Sequence, residues 1–148
     1  MRKVIFGLFF IIFASNCTNI DHLQLKTEIL NTDIAFSDYS LENGFNKAFV
    51  AFAADDAVLL KPGRMPIIGI LAIEEYHHNE NDEELVLSWK PTFADVAESG
   101  ELGYTYGFWK LSNKRDSLLG EGTYVTIWKR QKDSTWKYVL DSGNSGLE

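Results

Sequence analysis

Downstream of residue 20 the spacing of apolar positions changes once, from a helical period to a period of two. Between Asp21 and about Asp38, Leu23, Leu30 and Ile34 fall near one helical face, flanked by Ile29 and Phe36. The run Asp21-His22-Leu23-Gln24 reads as a capping box, with an acid at the N-cap and a glutamine three residues on. A second helix is predicted with Ser40 as its cap. Leu41, Phe45, Ala48, Phe49 and Phe52 then recur at i, i+4, i+7, i+8 and i+11, a stripe about 100° wide. Gly44 weakens that helix by about 1 kcal/mol without ending it. Ala57-Val58-Leu59-Leu60 is a short strand closed by the turn Lys61-Pro62-Gly63, and Pro66-Ile67-Ile68-Gly69 leads into a third helix over residues 70–79.

From Glu84 the pattern alternates, predicting strands at 85–95, 101–111, 117–130 and 135–142. Ser112-Asn113-Lys114 and Lys132-Asp133-Ser134 are the turns between the last three. Helices first and a hairpin-linked sheet second is the α+β arrangement, with three N-terminal helices laid on one face of a curved antiparallel sheet.

Ten of the fifty residues from Trp89 to Tyr138 are aromatic. Three short helices cannot cover that many rings, so the surplus predicts a pocket or an interface. Tyr104, Tyr106 and Phe108 share one face of their strand, and Tyr124, Thr126 and Trp128 share one face of the next. The expected lining of a pocket is therefore Trp89, Tyr104, Tyr106, Tyr124 and Trp128, unless the opposite strand faces turn inward.

Charge and the amino terminus narrow the setting. The chain has 148 residues, suited to one domain, and a formal net charge of −7. That balance, without a Lys/Arg cluster, argues against nucleic acid as a partner. Met1-Arg2-Lys3 followed by the apolar run Val4 to Phe13 reads as a signal peptide over residues 1–16. Ten apolar residues rise about 15 Å as a helix, half of a bilayer core of about 30 Å. Removing this leader takes away two of the 14 basic residues and no acid, moving the charge from −7 to −9. Ala14-Ser15-Asn16-Cys17 resembles the lipobox of bacterial lipoproteins, although Ala14 and Asn16 depart from its usual Leu and Gly/Ala. The resemblance implies a lipid on Cys17, a tether over residues 17–20 and a place in the bacterial cell envelope, at the outer membrane or facing the periplasm. The membrane is then met through the anchor only. Ordinary secretion with a free Cys17 is the alternative.

The element order carries a wider resemblance. Two helices, a short strand, Pro-x-x-Gly into a third helix and four long strands resemble the nuclear-transport-factor-2-like superfamily. Its fold is the cone-shaped α+β barrel of ketosteroid isomerase, scytalone dehydratase and the SnoaL-like polyketide cyclases. The similarity spans residues 21–144, leaving 145–148 as a tail, and is greatest to a bacterial subfamily of undefined function. Its motifs here are Phe52-Ala53-Ala54-Asp55-Asp56-Ala57-Val58-Leu59, Ile68-Gly69 and Leu102-Gly103-Tyr104-Thr105-Tyr106-Gly107. The longest is Gly122 to Gln131, with Asp133, Trp136-Lys137 and Asp141 following. The resemblance implies a cone-shaped cavity in which a carboxylate, His or Tyr does acid/base work in catalytic members. Others in the superfamily only bind, and fold alone does not choose between them.

Three residues are catalytic candidates. Asp33 reads as an exposed helix acid, or by resemblance as a carboxylate at the cavity mouth. Tyr39 either packs between helices or donates into the cavity. Asp141 is expected to share a strand face with Lys137 and Val139, as a solvated edge residue or a cavity carboxylate. Asp55-Asp56 read as a turn after the second helix. His77 and His78 beside Glu74 and Glu75 point about 100° apart on a helix and supply too few ligands for zinc. No metal or cofactor is implied. A small apolar or aromatic molecule is the expected partner, bound without assured turnover. The alternative is an isomerase, dehydratase or cyclase using a cavity carboxylate and a Tyr. A second alternative is a non-catalytic dimerisation module joined through the outer sheet face.

Overall fold

The structure is a computed structural model that describes residues 21–80 and 82–146. The expected leader, the tether and Cys17 lie outside the described residues. Helix α1 spans His22–Asn43, α2 Phe45–Phe52 and α3 Ile70–His78. The strands are β1 Ala53–Leu60, β2 Ile67–Ile68, β3 Leu85–Val96, β4 Leu102–Asn113, β5 Leu118–Arg130 and β6 Trp136–Ser145. They form one sheet in the order β2-β1-β6-β5-β4-β3. This is the α+β cone expected from the element order.

Helix α1 starts where the cap predicts it. Asp21 Oδ1 accepts from the Leu23 and Gln24 amides at 3.0 and 3.1 Å. Gln24 does not reach back to close the box; its Nε2 donates to Glu28 instead. The helix then runs through Ser40, which caps nothing, and the break falls at Gly44. There φ is +88°, a conformation that glycine adopts without strain, and a Cβ would lie 2.6 Å from Asp82 Oδ2. Leu41 therefore belongs to α1 and is exposed, while Ala48 and Phe49 of α2 are buried.

The buried face of α1 also differs from the one its apolar residues suggest. Leu25, Ile29, Asp33, Phe36, Ser37 and Ser40 face the sheet, whereas Leu23 and Ile34 face solvent. Half of that face is polar because β3 offers it hydrogen bonds. Ser40 Oγ donates to the Leu87 carbonyl at 2.7 Å, and the Trp89 amide donates to Ser37 Oγ at 2.9 Å. A hydrophobicity pattern cannot register a face held by such bonds.

Strand β1 begins four residues earlier than expected, so Asp55 and Asp56 are exposed strand residues and not a helix-end turn. They sit at an irregularity between Ala53 and Val58 in the pairing with β6. That pairing is parallel, which makes the sheet mixed; the remaining pairs are antiparallel. A parallel neighbour requires a long connection, and β1 and β6 are separated by α3 and the whole run from β2 to β5.

Cross-strand pairing decides which rings go inside. Gly103, Thr105 and Gly107 on β4 lie opposite Trp128, Thr126 and Tyr124 on β5. Both sets point toward the helices, and the small residues make room for the large ones. A Cβ at Gly107 would collide with the Lys90 carbonyl, and one at Gly103 would lie 2.7 Å from the Asp95 carbonyl. Tyr104, Tyr106 and Phe108 consequently occupy the outer face, 39%, 45% and 59% exposed. The core centres on Phe36, whose ring meets Trp89, Phe52 and Phe49 at centroid distances of 4.5, 4.8 and 5.0 Å.

Candidate functional site: a cavity between the helices and the sheet

A cavity of about 350 Å³ lies between the sheet and the helices. Phe36 and Phe49 reach it from the helical layer; Leu87, Trp89, Trp109 and Tyr124 reach it from the sheet. Its polar groups are few: Lys61, Tyr76, Glu80, Asp141 and the β6 residues Asn144 and Ser145. A largely apolar chamber with a small set of converging polar groups is the usual composition of a small-molecule site.

Trp109 is held by glycines. It lies opposite Gly122, and Cβ atoms at Gly120, Gly122 and Gly143 would approach its ring to 3.5, 2.9 and 3.4 Å. Its Nε1 donates to the Thr123 and Asn144 carbonyls at 3.1 and 3.0 Å. The wall on the other side is anchored by Asp33. This carboxylate is fully buried; Oδ1 accepts from Trp89 Nε1 and Oδ2 from the Tyr124 hydroxyl, each at 2.8 Å. Burial raises its pKa, an effect that hydrogen bonds from Thr105, Tyr124 and Trp89 partly offset. Asp33 lies behind the wall, outside the cavity lining, and acts by positioning two of the rings that form it. Burial and the Asp33 carboxylate push the Tyr124 hydroxyl well above the ordinary tyrosine range, so it stays protonated and committed to that bond.

Asp141 enters the cavity through a slip in the sheet. Trp128 pairs with Tyr138 but Ile127 pairs with Leu140, so the register skips Val139. The slip reverses the alternation, and Asp141 joins Trp136 and Tyr138 on the inner face instead of sharing one with Lys137 and Val139. Thr126 Oγ1 donates to Asp141 Oδ2 at 2.7 Å. Burial pushes the Asp141 carboxyl up to about 6, against the opposing pull of the Lys61 charge and the Thr126 bond. Such a group exchanges protons near neutrality, as acid/base chemistry requires.

Lys61 follows the end of β1, and the pairing of Leu59 with Asp141 brings it onto the sheet face that Asp141 occupies. Its Nζ lies 4.5 Å from the centroid of the Phe49 ring. Burial lowers its pKa, opposed by the charges of Asp141 and Glu80. His77 stacks on Phe49 at 5.2 Å from behind the lining. Asn46 Nδ2 donates to the Glu80 carbonyl, which leaves Asn46 Oδ1 to accept from His77 Nδ1 at 2.6 Å. The proton of the neutral ring is thereby placed on Nδ1. Burial, with the Lys61 charge, holds the His77 pKa down to about 3. His78, Glu74 and Glu75 are exposed, and among the described residues no three His, Cys, Asp or Glu side chains are grouped to hold a metal ion.

Of the ligand-contacting residues expected from sequence, Trp89 and Tyr124 line the cavity. Tyr104 and Tyr106 do not, because strand pairing turns them outward. Trp128 is fully buried in the core, its Nε1 donating to Thr105 Oγ1 at 2.9 Å. Of the catalytic candidates, Asp141 is in the cavity, Asp33 is behind its wall, and Tyr39 packs against Phe52 at 5.9 Å, away from it. Sequence reasoning missed Lys61, Trp109 and Phe49 as lining residues. The glycines at 120, 122 and 143 were the available signal for Trp109.

No protein-family model matches the chain, and no curated protein does. Solved structures do. A nuclear-transport-factor-2-like protein with a cystatin-like fold from Novosphingobium aromaticivorans has a TM-score of 0.68 at 12% identity, covering 83% of this chain and 82% of that one. A nuclear-transport-factor-2-like superfamily protein from Salmonella enterica has a TM-score of 0.66 at 14% identity, covering 85% and 94%. A ketosteroid isomerase-like protein from Erwinia carotovora atroseptica has a TM-score of 0.61 at 15% identity, covering 79% and 95%. At these identities the likeness concerns the fold: the chain has the nuclear-transport-factor-2-like cone.

Proposed function

We propose that this protein binds a small, largely apolar or aromatic molecule in the cavity between Phe49, Trp89, Trp109 and Tyr124. The supporting observation is the cavity itself, about 350 Å³ of space walled by rings with polar groups at few points. The same proposal places the domain at the bacterial cell envelope, held by a lipid on Cys17, and includes kinship with the bacterial subfamily named above. Trp89 and Trp109 line the cavity and are the reporters of choice. A panel of fused-ring aromatics, steroids and aromatic acids should change tryptophan emission saturably, and the double variant Trp89→Phe/Trp109→Phe should abolish the change. Emission unmoved by every member of the panel would count against binding.

Asp141 favours a second reading, an isomerase-, dehydratase- or cyclase-type enzyme with this carboxylate as the base. Tyr124 does not suit the donor role, since its proton is given to Asp33. Asp141→Asn would abolish turnover in that case while ligand-induced fluorescence changes persist. The outer sheet face favours self-association as an additional property: Phe93 stacks on Tyr106 at 5.5 Å and lies 6.1 Å from Tyr104, all partly exposed beside Phe108. Contiguous exposed rings of this kind mark interaction surfaces.

A further inference from the structure

Four cations among the described residues are half-buried: Lys26, Lys61, Arg130 and Lys137. Lys26 pairs with Asp95 at 2.8 Å, Arg130 with Glu28 at 4.0 Å, and Lys137 donates to the Ala51 carbonyl at 2.5 Å. Among the described residues Lys61 has no carboxylate within 4.0 Å and no hydrogen-bond acceptor for its ammonium, and its one close partner is the Phe49 ring. It is also the cation that lines the cavity. The acids facing it are engaged elsewhere or held off. Glu80 at the mouth is paired with Arg64 at 3.7 Å, and Asp141 is bonded to Thr126 through Oδ2 and lies beyond ion-pair distance. The remaining titratable neighbours, His77 and Tyr76 on α3, carry no negative charge at neutral pH. An ammonium between aromatic walls, with its N–H groups unspent, attracts an anionic oxygen more strongly than it would in water.

We propose that Lys61 makes the cavity selective for apolar or aromatic monocarboxylates, with the ligand carboxylate on Lys61 Nζ and its hydrocarbon body against Phe49, Trp89 and Trp109. This rests on the cavity-binding reading and specifies its ligand class. A second consequence follows from Asp141. Asp141 lines the same cavity as Lys61, with Asp33 and Tyr138 as its other titratable neighbours. A ligand anion that occupies Lys61 leaves the Asp141 carboxylate facing a second negative charge, and binding draws a proton from solvent onto Asp141.

The test titrates the full chain calorimetrically with 2-naphthoate and with its uncharged isostere 2-naphthamide. At pH 7 the acid should bind about tenfold or more tighter than the amide, the order of magnitude of one charge-assisted contact. Lys61→Met should erase that preference, and Lys61→Arg should retain most of it. Repeating the titration in buffers of different ionisation enthalpy should reveal proton uptake with the acid and none with the amide. Asp141→Asn should remove the uptake and tighten acid binding. Equal affinity for acid and amide, or a preference that survives Lys61→Met, overturns the role of Lys61 while leaving cavity binding intact. Failure of both probes to bind overturns the cavity-binding reading for aromatic ligands, and this inference with it.

Discussion

Asp33 shows what one buried carboxylate can organise. Its two oxygens collect Trp89 Nε1 and the Tyr124 hydroxyl, with Thr105 as a further donor, so its removal strands these donors in the core. Asp33→Leu should therefore cost about 3 kcal/mol or more in urea unfolding. Asp33→Asn, which can still accept from Trp89 and donate to the Tyr124 oxygen, should cost about 1 kcal/mol. The ionisation of Asp141 and His77 gives opposite pH signatures. Asp141 is raised from 3.8 to about 6 on folding, so the folded state binds the extra proton and stability falls as pH rises through that window. At pH 7 the burial of this charge costs about 3 kcal/mol. Asp141→Asn should thus be more stable than the parent by roughly that amount at pH 7, with the gap closing below about pH 4. His77 is lowered from 6.5 to about 3, so the unfolded state binds the extra proton there and stability falls as pH drops below 6.5. The two trends oppose each other between pH 4 and 6. Denaturation midpoints of His77→Phe across that range should show stability increasing on acidification, the Asp141 trend unmasked.

At the scale of elements, glycines and register slips do what hydrophobic periodicity could not foretell. Five strands, three helices and the turns at Ser112–Lys114 and Lys132–Ser134 were legible, because their periods and turn residues are set by local spacing. The face of β4 was not. Counting rings places Tyr104 and Tyr106 inside, but Gly103 and Gly107 must face in, where the Asp95 and Lys90 carbonyls leave no room for a side chain. Gly107→Ala should destabilise the fold by about 1–3 kcal/mol through overpacking, whereas Tyr104→Ser should stay within about 0.5 kcal/mol. Thermal melts of the pair would invert that ranking if Tyr104 faced the cavity. The same reasoning covers Asp141: strict alternation from Lys137 puts it outside, and the skipped residue Val139 brings it in. A slip of one residue is invisible in a pattern whose period is two.

For the whole molecule, two aromatic surfaces separate by function. Rings on the inner face surround the cavity and the core; those on the outer face, Phe93, Tyr104, Tyr106 and Phe108, are open to solvent. If the outer face joins two copies, Tyr106→Arg/Phe108→Arg should lower the sedimentation coefficient to that of a monomer. Ligand-induced tryptophan changes should be unaltered, since Trp89 and Trp109 lie on the other side of the sheet. A variant that loses both together would place the ligand and the partner on one surface.

The order of helices and strands, the α+β class and the excess of aromatic surface were determined by the chain itself, because helical and strand periods act between residues a few positions apart. Tertiary structure alone decided that α1 would bury Asp33, Ser37 and Ser40, that β4 would turn its tyrosines outward, and that Lys61 and Asp141 would face one chamber. Those outcomes depend on hydrogen bonds and steric limits between residues tens of positions apart, such as Tyr124 with Asp33, for which linear spacing carries no signal.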